Sequence, residues 1–205
     1  DNAVVGSFIY SAAELQVAVN AASDDVANEF TLAADIEGDV VVVIQKPNVK
    51  ITIDGANHTF NGYFRVHSNS NHYDTAAVTF KNIKFETSTA SVNFIEALEK
   101  SNEQRYSTNI TVENCTFEAV ASRATNTTVV GVQAKASKNL VVKNCTAKNI
   151  HSLLQAQSCD TDVIVEGCDH GVSITYVTSC RDLLTKVLKV GIHTGNYLGS
   201  CACNT

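Results

Sequence analysis

Apolar positions recur along this chain with two different periods. Leu15, Ala18, Val19 and Ala22 fall at i, i+3, i+4 and i+7, which predicts a short amphipathic helix with one narrow face to bury. Ser11 and Glu14 stand just ahead of that stripe with the spacing of a capping box, so the helix is expected over residues 11–22. After it the period drops to two. Val40 to Ile44 and Val49 to Ile53 read as strands on either side of a turn at Lys46-Pro47-Asn48.

From there the chain repeats itself. Ile51-Thr52-Ile53-Asp54-Gly55-Ala56 aligns with Val78-Thr79-Phe80-Lys81-Asn82-Ile83, with Ile110-Thr111-Val112-Glu113-Asn114-Cys115, with Leu140-Val141-Val142-Lys143-Asn144-Cys145 and with Val163-Ile164-Val165-Glu166-Gly167-Cys168. The copies start 27, 32, 30 and 23 residues apart, a spacing that points to a solenoid. A sixth copy near Leu183 or Val187 has no assignable register. The first and third positions of each copy are apolar and point inward, while Thr79, Lys81 and Thr111 point out. Asn or Gly at the fifth position suits a sharp bend, since both tolerate the left-handed region. Further strand-like runs at Phe64-Arg65-Val66, Val92 to Ile95, Val129 to Val132 and Val172 to Ile174 lie between copies. Two or three short strands per coil make an all-β, right-handed parallel β-helix solenoid with a short N-terminal capping helix.

On these residues the chain resembles the pectate-lyase-like superfamily, in which Asn residues at one turn stack into a ladder and an N-terminal helix caps the core. Asn82, Asn114 and Asn144 match the ladder, and residues 11–22 match the cap. The stretch from Ser11 to Gly62 is similar to adhesin-like β-helical surface proteins of bacteria, which implies a secreted or cell-surface location. The expected organisation is one domain over 1–205, with coils over 40–180. Residues 181–205 form an irregular end, which continues into a longer chain or self-associates.

Composition agrees with this reading. Val occurs 26 times, Thr 20 and Asn 19 among 205 residues, against one Pro and no Trp, as an all-β chain punctuated by Asn requires. The net charge of −6 argues against nucleic acid as a partner, and no run of about 20 apolar residues exists to insert into a membrane. Of the seven cysteines, Cys115, Cys145 and Cys168 occupy the sixth position of consecutive copies and are expected to stack inward as small core residues. Cys201 and Cys203 lack the partners of a zinc site, so no metal and no cofactor are expected.

Candidate binding residues lie on the loops expected where the period breaks, Gly62 to Thr75, Glu96 to Thr108 and Ala121 to Thr128, which would project over one strand face. Arg65, His67, His72, Tyr73 and Asp74 form one group, Glu96, Arg105 and Tyr106 a second, and Arg123 a third. Polar side chains with a few aromatics over a strand face suit an extended glycan. The lyases that the fold resembles need an Asp cluster for calcium and a basic proton acceptor, and the glycosidases need several Asp carboxylates with Gly-His-Gly and Arg-x-Lys motifs. None of these patterns occurs here, so no catalytic residue is assigned. A glycan- or surface-binding module is the leading expectation. A polysaccharide lyase or glycosidase and a purely structural solenoid segment are the alternatives.

Overall fold

A computed structural model describes residues 4–24, 26–46, 48–67, 76–89, 91–98, 109–120, 129–135, 139–159, 163–168 and 172–177. Among them, seven strands form one parallel sheet: β1 (Val4–Ile9), β2 (Ala27–Leu32), β4 (Lys50–Asp54), β6 (Ala77–Lys81), β9 (Asn109–Glu113), β12 (Asn139–Lys143) and β15 (Val163–Glu166). Nine more form a second: β3 (Ile36–Ile44), β5 (Thr59–His67), β7 (Lys84–Thr87), β8 (Asn93–Leu98), β10 (Thr116–Ala119), β11 (Val130–Lys135), β13 (Thr146–Lys148), β14 (Ser152–Cys159) and β16 (Val172–Val177). The chain passes back and forth between the sheets, and each strand pairs in parallel with its counterpart one coil on, giving a solenoid-like stack.

The register of that stack is the register of the sequence repeat. Ile51 pairs with Val78, Val78 with Ile110, Ile110 with Leu140 and Leu140 with Val163. The stack also starts earlier than the repeat does, because Val5 pairs with Asn28 and Asn28 with Ile51. Asn28 occupies a core row and is buried. Its amide donates to the carbonyls of Ser23, Val26 and Lys50, and its Oδ1 accepts from Ser23 N–H, so no polar atom of that side chain is stranded.

Inward rows build the core. Phe60 sits over Phe85 and Phe85 over Phe117, with ring centroids 6.1 Å and 4.9 Å apart, and Phe64, Phe80 and Phe94 fill the space around them. Each fully buried ring contributes about 1.5–3 kcal/mol of transfer free energy. The helix α1 (Ala12–Ala21) begins at Ser11, whose hydroxyl accepts from Glu14 N–H, while the Glu14 carboxylate accepts from Tyr10 N–H. Its Leu15 and Val19 are buried in the core. Gln16 docks on the free edge of β3, donating to the Val43 carbonyl and accepting from the Val43 N–H, both at 2.8 Å. An edge strand left open invites pairing with other chains, and here a side-chain amide occupies it.

Asn82, Asn114 and Asn144 take φ of 55°, 54° and 50°, and Gly167 continues the column at 63°. Asn144 Nδ2 donates to Asn114 Oδ1 at 3.3 Å, Asn114 to Asn82 at 3.4 Å, and Asn82 to Asp54 Oδ1 at 3.0 Å. The ladder lies on the solvent side of the turn and ends on a carboxylate. Six Asn among the described residues adopt positive φ, so part of the abundance of this residue is a demand for left-handed bends. Cys115, Cys145 and Cys168 follow directly, buried and free of disulfides, each thiol donating to the carbonyl two residues back. The adjacent Cys115 sulfur, against an opposing contribution from Cys168 and together with burial, pushes the Cys145 thiol up to about 12.

Three expectations follow from these rows. Asn114→Ala should cost about 2–3 kcal/mol in urea unfolding, one part from a β-carbon at positive φ and one from two exposed hydrogen bonds. Asn114→Gly should be milder by about 1 kcal/mol, because it removes the first part. Equal losses in the two variants would show that the bend contributes nothing.

Burial opposes the charge on Asp54, yet the Ala56 N–H, the Asn82 amide and the Lys81 ammonium together hold its carboxyl below the ordinary 3.8. A depressed folded value means that its contribution is complete above 3.8 and fades as pH falls through the lower value. Melting temperatures measured from about pH 5 to 2 should therefore drop less steeply for Asp54→Asn than for the parent chain. Parallel acid limbs would remove Asp54 from the account. The third expectation concerns the thiols. A thiol reagent at mildly alkaline pH should leave Cys115, Cys145 and Cys168 unmodified until the chain is unfolded, as mapped by peptide mass. Rapid native labelling of any of the three would contradict the packing.

Candidate functional site

The outer face of the nine-stranded sheet carries a row of polar side chains in register. Arg65 of β5 pairs with Glu96 of β8, Glu96 with Gln133 of β11, and Gln133 with Gln155 of β14. The period-two alternation that buries Phe64, Val66, Ala97, Val132, Ala134 and Leu154 turns these four outward. Arg65 Nε lies 3.2 Å from Glu96 Oε2, and its guanidinium sits 5.8 Å from the centre of the Tyr63 ring. Asn93 Nδ2 donates to Glu96 Oε1 at 3.3 Å and to Gln133 Oε1 at 2.9 Å, and Gln133 Nε2 donates to Gln155 Oε1 at 3.4 Å. The result is a stripe crossing four strands, with an aromatic ring and an internally neutralised ion pair at one end and amides at the other. An amide that spends one donor and one acceptor on its neighbours keeps one of each for a ligand.

A second feature adjoins it on the same strand. Ile36 of β3 pairs with Phe60, but the next pair is Val40 with Gly62, so β3 carries two extra residues there. The bulge is strained into positive φ at Gly38 and Asp39, 110° and 49°. Gly62 lets it close, since a β-carbon there would lie 2.3 Å from the Val40 carbonyl oxygen. Asp39 N–H donates to Asn61 Oδ1 at 2.9 Å, and the Asp39 carboxylate accepts from the Thr89 hydroxyl at 3.1 Å. Asp35 accepts from Thr59 N–H at 2.8 Å and faces His58 Nδ1 at 3.1 Å, and these two hydrogen bonds lower its pKa from the usual value. Between the bulge and the sheet lies an open cleft of about 600 Å³ lined by Asp35, Glu37, Asp39, Asn61, Glu86 and Ser88. Among the described residues no three His, Cys, Asp or Glu side chains converge on a common metal position.

Of the binding residues expected on loops, Arg65 and Glu96 lie instead on strands β5 and β8, where parallel pairing in register brings them into direct contact. His67 ends β5 beside Leu98, but its side chain lies outside the described set. His72, Tyr73, Asp74, Arg105, Tyr106 and Arg123 fall outside the described residues altogether. Sequence reasoning passed over Tyr63, Asn93, Gln133 and Gln155. The signal for Gln133 and Gln155 was available, because each sits among the alternating apolar residues of a strand. The cleft had no such signal, since its walls come from residues 35–39, 61 and 86–88, which only the stacking of coils brings together.

No protein-family model matches this chain, and neither the curated proteins nor the solved structures include one significantly similar to it.

Proposed function

We infer that the chain is a secreted or cell-surface module, adhesin-like and bacterial, that binds glycan on its outer sheet face without cleaving it. In this reading the coils form a right-handed parallel β-helix of the pectate-lyase-like superfamily. Parallel strands of one sheet are joined by right-handed crossovers in nearly all proteins, which favours that hand. The observation that carries the binding role is the registered row Arg65–Glu96–Gln133–Gln155 beside Tyr63. Its rungs repeat at roughly 4.8 Å, the spacing of paired strands. One sugar of an extended glycan advances by a similar length, so successive residues of a polymer meet successive rungs. The amides offer paired donors and acceptors to hydroxyl groups, and the tyrosine ring offers a flat apolar surface.

The bulge cleft favours a second reading, a polysaccharide-degrading enzyme. Its carboxylates are the residue type that acid–base cleavage of a glycosidic bond requires. One experiment separates the two. The chain is passed over immobilised polysaccharides while the flow-through is assayed for new reducing ends and unsaturated products. Retention without products is expected. Gln133→Ala and Gln155→Ala should each weaken retention about fivefold, the equivalent of one hydrogen bond near 1 kcal/mol, with little change in melting temperature. Unaltered retention in both variants would remove the stripe from the binding site. Product formation abolished by Glu86→Gln would instead establish the enzyme.

A further inference from the structure

The charges around the stripe bear on which glycans it accepts. Resting on the binding reading above, we propose that the stripe takes an uncharged glycan and that the adjacent carboxylate-lined cleft turns acidic polymers away.

The argument begins with Arg65, the cation of the stripe. A uronate or sulfate would have to be met by a positive group with donors to spare, since charge-assisted pairs need both. Arg65 has further N–H donors, but its charge is already matched: its Nε lies 3.2 Å from Glu96 and its guanidinium sits against Tyr63. Recruiting it to an anion would leave the Glu96 carboxylate, which is only 18% exposed, without its cation and with the Asn93 amide as its remaining partner. The ion pair therefore presents no net charge. Beyond it the rungs are amides, which reward hydroxyl groups on both the donor and the acceptor side but gain nothing special from an anion.

The cleft adds repulsion. Strand β5 supplies both features, with Asn61 lining the cleft and Tyr63 and Arg65 carrying the stripe. Along a strand Asn61 and Arg65 stand about 13 Å apart, and Tyr63 about half that. A polymer seated on Tyr63 and Arg65 thus passes within about one Debye length of Asn61 and of the two acidic residues that meet it, Asp39 and Glu86, at physiological salt. The pairing of coils makes this negative field stronger. Glu86 stacks in register on Glu118, a like-charge pairing; Lys84, two residues before Glu86 and acting on Asp35, gives partial relief, while Lys148 binds Glu118 on the far side from Glu86. The whole chain carries −6 as well, so the long-range field has the same sign.

Affinity electrophoresis of the full chain through gels containing a panel of neutral glucans and mannans, polygalacturonate, or partly deacetylated chitin tests the proposal at low and at high salt. Retardation by a neutral polymer with little salt dependence, and none by polygalacturonate at low salt, is expected. The double variant Glu37→Gln/Glu86→Gln should gain severalfold in retention by polygalacturonate, with an unchanged far-ultraviolet circular dichroism spectrum as its folding control. Polygalacturonate retained by the parent chain would overturn the proposal and leave the binding reading standing. Stronger, salt-sensitive retention by the amine-bearing polymer would overturn it too, because the cleft would then be the attractor. No retention by any polymer would bring down the binding reading, and this inference with it.

Discussion

Every coil of this protein must lay its residues directly on those of the coil before, and that single constraint decides most of the rest. Parallel strands paired in register place like position on like position at roughly 4.8 Å. Whatever a row repeats, it repeats in contact. Apolar rows become a continuous core, with Phe60, Phe85 and Phe117 as its aromatic column. Bend positions become a column of Asn, and the next position becomes a column of thiols. Charged rows face the opposite requirement, since like charges stacked at this distance destabilise a sheet. The outward row at the end of the seven-stranded sheet answers it by alternation: Asp54, Lys81, Glu113, Lys143, Glu166. Lys81 contacts Asp54 at 3.3 Å, and Lys143 contacts Glu166 at 3.5 Å.

The same constraint explains how much of the fold is legible in the sequence. Because the register of the sheet is the spacing of the repeat, aligning five short segments by eye is equivalent to pairing β4, β6, β9, β12 and β15. The capping box before α1 was equally visible, since Ser11 and Glu14 act locally. The strands β1 and β2 escaped because the row that holds buried aliphatics in later coils begins with an exposed Val5 and a polar Asn28, and no Asn bend follows them. Asn28 looks like a surface residue in sequence. Only its four hydrogen bonds within one turn of chain and the next strand make it a core one.

The candidate site was legible in a different proportion. Arg65 and Glu96 stood out as polar residues where the period breaks, and the stack brings them together on paired strands. The amides carried a weaker signal, because the alternation puts Gln133 and Gln155 on the solvent side of their strands while only registration sets them side by side. The bulge was hidden altogether. A run such as Ile36-Glu37-Gly38-Asp39-Val40 reads as a turn or a poor strand. Its two extra residues become a cleft wall only when Gly62 permits the close approach beneath them.

The two ladders of this molecule differ in what they do for folding, and the difference bears on function. The Asn column at the turn is tied to backbone conformation: three positive φ values need a residue that tolerates them, so Asn would be favoured there even without its side-chain hydrogen bonds. The stripe of Arg65, Glu96, Gln133 and Gln155 has no such anchor. Its residues are ordinary strand positions, its Gln133–Gln155 contact is long at 3.4 Å, and its ion pair is of the half-exposed kind that contributes little. β-branched residues would hold those strands at least as well, as Val141 and Ile164 do on the outer face of the other sheet. Stability therefore does not account for the stripe. A row of amides kept in register on an open face, where folding would accept Val or Thr, is the feature on which the proposed glycan binding rests.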